Sequence, residues 1–420
     1  MRPLHLLHVL IACIFIYTGC KKEKQAETSN RPPGSFELLT EPDGRKNADV
    51  LPTLTWQRSA DPDKDSVSYE ITVETEDGES SLVIENLTDT FYRFDTRLQT
   101  NTMYKWSVTA KDGKGGIMES KSIFNFTTRE LREPQAAAEN VLSLSRHAHT
   151  SVVFDGKLWV IGGELVTPTE TVRLNDIWNS TDGITWESVS ASSPFDSRRY
   201  HTSVVFKDNM WVIGGEGREV YADVWYSNNG TNWTQATVMP SGKRYAHSSV
   251  VYDNKLWVIG GRNDKNESLN DVWYSENARN WTEATAQARF TPRYYSAAAG
   301  IGGKMWVIGG NEESTTGSLW YSENGRDWSL ATDHPPFGKR YGHSVAVFDN
   351  KLWLAGGFYK GQGLASDYKN DIWYSSDGIN WTLFVSNTSF KKRMHHTSIV
   401  FNNKLWLMFG KSFSATFNEI

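Results

Sequence analysis

The sequence predicts an all-β chain, a six-bladed β-propeller preceded by an immunoglobulin-like β-sandwich. Three observations carry this. The last two thirds of the chain repeat a unit with a period of roughly 50 residues. Each copy holds four short apolar stretches of strand type, which together make one propeller blade. Ahead of the repeats lies a stretch of about 100 residues with alternating apolar positions and no internal repeat, as a two-sheet sandwich requires.

The clearest copy is residues 244–281, RYAHSSVVYDNKLWVIGGRNDKNESLNDVWYSENARNW. The copies align on a Trp just before a Gly pair: Trp159, Trp211, Trp257, Trp306, Trp353 and Trp406. Thirteen positions earlier each has an Arg: Arg146, Arg198, Arg244, Arg293, Arg340 and Arg393. Three positions after that Arg come His149, His201, His247, His343 and His396, with Ser296 in the fourth copy. The Gly pair runs from Gly162-Gly163 to Gly356-Gly357, and the sixth copy has Phe409-Gly410. A loop of uneven length then leads to a second Trp, and a third follows eight positions later. The stretch between them reads STDGITW, SNNGTNW, SENARNW, SENGRDW or SSDGINW. Asp-Gly and Asn-Gly here predict a two-residue hairpin turn with positive φ at both residues; Ala278 departs from that pattern.

The Arg, Gly-Gly and spaced-Trp pattern over residues 146–410 resembles the kelch repeat of galactose oxidase-like propellers. The S-x-D-G-x-x-W stretches are similar to a shortened Asp-box, the turn motif of sialidases. The resemblance implies a six-bladed kelch propeller over residues 146–420. That fold hosts many functions, so it implies no chemistry by itself.

The chain has 420 residues and a net charge of −5, which argues against a nucleic-acid partner, since that would want a basic face. Residues 1–20, MRPLHLLHVLIACIFIYTGC, have a basic start and an apolar core too short to span a membrane, the layout of a secretory signal. Their end resembles the lipobox of bacterial lipoproteins, with Tyr17 where that family usually has Leu. The resemblance implies lipidation of Cys20, export and a membrane-anchored place at the bacterial outer membrane or cell surface. The only other cysteine is Cys13, so the mature chain has no disulfide to form. Residues 21–31 then read as a polar tether.

Residues 32–128 form the sandwich. Alternation is clear at Tyr69, Ile71 and Val73 and again at Tyr104, Trp106 and Val108. Together with Trp56 the pattern resembles a fibronectin type III domain, in which Trp56 and Trp106 would be core. Asp61, Asp63 and Asp65 alternate in a loop and are a weak Ca²⁺ candidate; a solvated turn is the plainer expectation. Residues 129–145 link the two domains. The sixth repeat ends without its fourth strand, so residues 134–141 are expected to donate an outer strand to the last blade and cover its edge.

A residue that recurs in every blade is most simply a packing or hydrogen-bonding device. The six Arg and five His are therefore read as structural, with Arg satisfying carbonyls through its five donors. The repeated Asp176, Asp223, Asp271 and Asp371 are expected to accept backbone N–H groups. Positions that vary within the fixed frame are the ligand candidates. After the Gly pair these are Glu164, Glu216, Arg262 and Asn311, and after the Arg they are Arg199, Tyr245, Tyr294 and Tyr341. Aromatic rings mixed with charges and amides suit a glycan or a protein partner. The alternative is a carbohydrate-active enzyme, of sialic acid epimerase or glycoside hydrolase type. A copper site with a Cys-linked Tyr is excluded because the repeats contain no Cys, and no cofactor is expected.

Overall fold

The structure, a computed structural model, describes residues 29–420 apart from 97, 131, 139–144, 168, 313–316, 360–366 and 414–415. The leader, Cys20 and most of the tether lie outside the described residues. The chain divides into two compact units: the first comprises the described residues up to Thr96 together with Asn101–Arg129, and the second runs from Glu130 to Ile420 and includes the short segment up to Thr100.

In the first unit one sheet runs in the order Arg45–Ala48, Phe124–Thr128, Met103–Lys111, Ser68–Thr75, Ser81–Leu87, with Ile117–Glu119 also paired to Met103–Lys111. A second, smaller sheet pairs Thr53–Thr55 with Phe91–Arg93. Side chains alternate faces along a strand. Accordingly Tyr69, Ile71 and Val73, and Tyr104, Trp106 and Val108, are the buried set. Trp56 packs edge-on to Tyr69 at 5.5 Å between centroids, and Tyr104 stacks on Phe126 at 5.7 Å. The ligand atoms of Asp61, Asp63 and Asp65 do lie within 4.8 Å of one another. Their partners are already present, however. Arg31 bonds Asp63 at 2.6 Å, Lys114 bonds Asp65 at 2.7 Å, and Asp61 accepts the N–H groups of Asp63 and Asp65. The loop is a turn held by these bonds, and among the described residues Asp61 Oδ2 and Asp65 Oδ2 are buried without a hydrogen-bond partner.

The second unit is built of antiparallel blades. Blade 1 comprises Thr150–Phe154, Lys157–Val166, Thr171–Ser180 and Glu187–Ser190; blade 2 comprises Thr202–Phe206, Asn209–Ile213, Asp223–Ser227 and Thr234–Val238. Blade 3 comprises Ser248–Tyr252, Lys255–Arg262, Ser268–Ser275 and Thr282–Thr285; blade 4 comprises Ala297–Ile301, Lys304–Ile308, Leu319–Ser322 and Ser329–Thr332. Blade 5 comprises Ser344–Phe348, Lys351–Tyr359, Asp367–Ser375 and Thr382–Val385. Blade 6 contributes Thr397–Phe401 and Lys404–Met408. Each first strand lies beside the first strand of the next blade, and the sixth lies beside the first, so the ring closes. At the closure, Phe409 N–H bonds the Glu419 carbonyl, and Ile420 exchanges backbone hydrogen bonds with Ala137 and Ala138. Residues 139–141 of the expected donated strand lie outside the described residues.

The turns correct one expectation. In the S-x-D-G stretches only the glycine has positive φ, for example Gly183 at 81° and Gly230 at 75°. The Asp or Asn before it caps the loop instead. Asp182 Oδ1 accepts N–H groups from Ile184 and Thr185, and Ser180 Oγ accepts that of Gly183. The loop is longer than a two-residue hairpin because it must lie over the neighbouring blade. A Cβ on Gly230 would stand 2.2 Å from the Trp159 ring, and one on Gly325 would stand 2.0 Å from Trp257. The glycine is therefore needed for close approach as well as for φ. Paired positive φ occurs between the first and second strands instead, as at Asp253-Asn254. The Trp that each turn covers belongs to an inter-blade core; Trp257, Phe290 and Trp328 share one such cluster.

Candidate functional site

The repeated Arg sets up the frame on which the site stands. Arg198 is 0 % exposed and donates to the Gly214 carbonyl at 2.9 Å and, bidentately, to Asp223 at 2.7 and 2.9 Å. Arg146, Arg244 and Arg340 do the same with Asp176, Asp271 and Asp371. The repeated Asp thus accepts a guanidinium and the indole N–H of the Trp two positions on, as at Trp225. Backbone N–H groups were the expected donors; the difference arises because the Arg side chain reaches across the blade to the third strand. Blade 4 has Ser318 in the Asp position, bonded by Arg293, and in the last blade Glu419 faces Arg393.

The repeated His link neighbouring blades. His201 Nε2 lies 3.0 Å from Thr150 Oγ1, His247 Nε2 lies 2.9 Å from Thr202 Oγ1, and His396 Nε2 lies 2.8 Å from Ser344 Oγ. His149 meets Thr397 in the same way, which joins the first blade to the last. Burial pushes these imidazoles well below their ordinary pKa, so they are neutral. The Gly pair makes room for them. A Cβ on Gly163 would meet the Cβ of His149 at 2.8 Å.

Two positions after each Arg, the chain closes a ring that sequence reasoning missed. Ala148, Tyr200, Ala246, Tyr295, Gly342 and His395 all have φ between 53° and 63°. Each donates its N–H to the carbonyl of the preceding member, at 2.7 to 3.1 Å, and Ala148 donates to His395. Large and small residues alternate around this ring. The three large ones pack on one another, Tyr200 to Tyr295 at 4.8 Å, Tyr200 to His395 at 5.0 Å and Tyr295 to His395 at 4.5 Å between centroids. They plug one end of the central channel. Burial pushes the Tyr200 hydroxyl up to about 12 and the Tyr295 hydroxyl higher still, so both phenols stay neutral.

The sequence-derived candidates surround this plug. Backbone pairing sets each beside its partner: Arg199 with Glu216, Tyr245 with Arg262 and Tyr294 with Asn311. His147 pairs with Glu164, Tyr341 with Phe358 and Met394 with Lys411. All eight candidates therefore lie at one mouth. They divide into two halves. On one side Arg199 donates to both Glu164 oxygens at 2.7 and 2.9 Å and reaches Glu216 at 3.3 Å. His147 Nε2 is 3.3 Å and Arg173 Nε is 3.6 Å from Glu164. Burial alone would raise the Glu164 pKa, but the His147 contact and the Arg199 charge outweigh it and hold the carboxyl at about 2. The Glu164 side chain is 3 % exposed, so it serves to hold Arg199 and does not itself face the opening. Burial lowers the pKa of half-buried Lys411 and raises the cost of its charge there.

The other half is aromatic. Arg262 lies over the Tyr294 ring at 4.3 Å, and Asn311 Nδ2 donates to the Tyr294 hydroxyl at 2.6 Å. Tyr341 stacks on Tyr295 at 6.0 Å and packs against Phe358 at 5.4 Å. Phe358 in turn meets Tyr368 edge-on at 5.0 Å. Tyr245 is 7 % exposed and donates to Asn266 at 2.9 Å, which places it behind the surface. Tyr200, Tyr295 and His395 are among the variable positions that the sequence marks one or two places after the Arg; it did not show that they meet across the axis, although large and small residues alternate down that column.

Comparison with known proteins bears on the fold. Residues 246–420 match the family model described as the KLHDC2/KLHL20/DRC7 Kelch-repeats domain. A solved structure titled "Structure of YjhT" is similar to this chain with a TM-score of 0.54 and 16% identity, over 68% of this chain and 96% of that one. A search of curated proteins finds no match. At that identity the likeness speaks for the fold alone. The repeat match and the shared architecture agree with the blades described above: the second unit is a β-propeller, and its residues 246–420 are similar to kelch repeats.

Proposed function

We propose that the chain is a cell-envelope-anchored binding protein that recognises a glycan at the plugged mouth of its propeller. A kelch-repeat propeller supports a binding or scaffold role. The observation that carries the finer reading is the Arg262, Tyr294 and Asn311 group beside Tyr341 and Phe358. Ring faces stack on a sugar, while polar groups at their edges bond its hydroxyls. Among the described residues Arg262 forms no ion pair, and its Nε is buried without a hydrogen-bond partner. A glycan array probed with the full chain tests the reading. For a glycan it finds, Arg262→Ala combined with Tyr294→Ala is expected to cost ~2 kcal/mol or more, about a thirtyfold loss of affinity, with the melting temperature held. An array without hits, and capture of a protein through the same two residues, would give the mouth to a protein partner.

The competing reading as a carbohydrate-active enzyme draws on the Glu164, His147 and Arg199 cluster. A general acid needs a pKa near the working pH. Glu164 is held at about 2 and is closed off by Arg199, which favours binding over proton transfer.

Anchoring rests on the residues 17–20 pattern and on the mature chain having no other cysteine. Among the described residues no helix is long and apolar enough to cross a membrane. The first unit is read as a fibronectin type III-like spacer, on its two sheets and its Trp56, Tyr69 and Trp106 core. Cys20→Ala is expected to move the protein from the membrane fraction to the soluble one, or to leave it unprocessed. Unchanged processing and partition would remove the lipid anchor from the reading.

A further inference from the structure

Behind the plug the channel holds a cavity of about 270 Å³ lined by the starts of the six first strands. A water's share of liquid volume is about 30 Å³. The cavity therefore has room for several waters or for one molecule of sugar size. Its wall is a belt of hydroxyls, and the belt has a consistent logic. Thr202, for example, bonds His247 of the next blade at 2.9 Å and Ser249 at 2.6 Å.

The belt is interrupted around blade 4, where Ser296, Ala297 and Ala298 replace the His and the two hydroxyl residues that most other blades carry. In blade 4 the Thr202 position is Ala297, and the position facing it from blade 5 is Val345. His343 there is 6 % exposed and lines the cavity, yet among the described residues neither of its ring nitrogens has a hydrogen-bond partner of normal geometry. The Ile308 backbone carbonyl lies beside the ring and favours the proton on Nδ1. Nε2 is then an acceptor that requires a donor. A buried acceptor left without one has lost its water and gained no partner, so the position is not neutral for the fold. Beside it, Ala297 and Val345 offer an apolar patch in an otherwise hydroxyl-lined wall. The imidazole is neutral because burial holds it at about 3, so the donor it suits is an uncharged hydroxyl.

We propose that the central channel is a second ligand site, separate from the mouth, which takes a small neutral polyhydroxylated molecule whose hydroxyl donates to His343 Nε2 and whose C–H face lies on Ala297 and Val345. The hydroxyl belt bonds the remaining hydroxyls of the ligand, and the Tyr200, Tyr295 and His395 plug stops it passing through to the mouth. The site does not depend on the mouth being a glycan site, since it shares no ligand-facing side chain with Arg262 or Tyr294.

Ala297→Ser tests this, because Ser344 in blade 5 already makes the equivalent bond to His396. Thermal unfolding of the full chain is followed with millimolar D-glucose, myo-inositol or glycerol. At least one of these is expected to raise the melting temperature of the wild type through binding to the folded state. Ala297→Ser is expected to melt higher than the wild type without a probe, and to need at least tenfold more of that probe for half its effect. Solute exclusion acts equally on both proteins, so their difference isolates the site. Val345→Thr is the second variant, should Ala297→Ser fold poorly. Crystals of the full chain soaked in the same probe give an independent readout: a ring against His343 supports the proposal. Water alone at Nε2, or probes that act identically on wild type and variant, overturns it.

Discussion

Asp223→Ala is expected to destabilise the propeller by roughly 3–5 kcal/mol, the usual cost of stranding one partner of a buried ion pair. Arg198 is 0 % exposed, and Asp223 supplies both acceptors of its bidentate bond. The substitution also removes the acceptor of the Trp225 indole N–H. Asp223→Ser is expected to cost clearly less, since Ser318 holds the same place in blade 4 and bonds Arg293 through its hydroxyl at 3.0 Å and its carbonyl at 3.0 Å. Urea unfolding followed by Trp fluorescence reads the propeller, because sixteen of the eighteen Trp lie in its repeats. Equal losses for Ala and Ser would show that packing, not the uncompensated guanidinium, sets the cost.

Arg199→Ala is expected to cost a similar amount at pH 7, again roughly 3–5 kcal/mol, because among the described residues it leaves the buried Glu164 carboxylate with the 3.3 Å His147 and 3.6 Å Arg173 contacts. The pH dependence identifies the cause. The folded-state pKa of Glu164 is depressed to about 2, below the ordinary Glu value of about 4.3. Its stabilisation in the wild type is therefore present above about pH 4.3 and is lost as the pH falls toward 2. In Arg199→Ala burial is no longer offset, and Glu164 protonates more readily in the folded state. The gap between variant and wild type should narrow between pH 5 and pH 2.5, and Glu164→Gln in the variant should recover part of the loss at pH 7. A gap that is constant with pH, with no recovery by Glu164→Gln, would mean that the pair does not set the stability of the mouth.

Several features needed only the order of residues. The Trp spacing and the Gly pairs specify four strands and a tight strand-end approach in every repeat, and local geometry then leaves little choice of fold. The alternation around Tyr69 and Trp106 marks the inner face of a sheet for the same reason, since the side-chain period of a strand is two. The eight mouth candidates were legible because they vary at fixed offsets from constant residues.

Only the tertiary structure decided who meets whom. Arg198 and Asp223 are separated by a whole hairpin, and the sequence shows two repeated residues without showing that they are partners; the pairing follows from strands stacking side by side within one blade. Glu164 and Tyr245 occupy the expected mouth, yet burial takes both out of the opening, and burial depends on the packing of neighbouring blades. The loop glycines looked like pure turn residues until the Trp159 and Trp257 rings were found beneath them. The plug is the extreme case: Tyr200, Tyr295 and His395 come from alternate blades and touch only because six first strands close on one axis. Offsets along the chain repeat with the fold and so can be read from the sequence, whereas contacts across the axis exist only once the ring has closed.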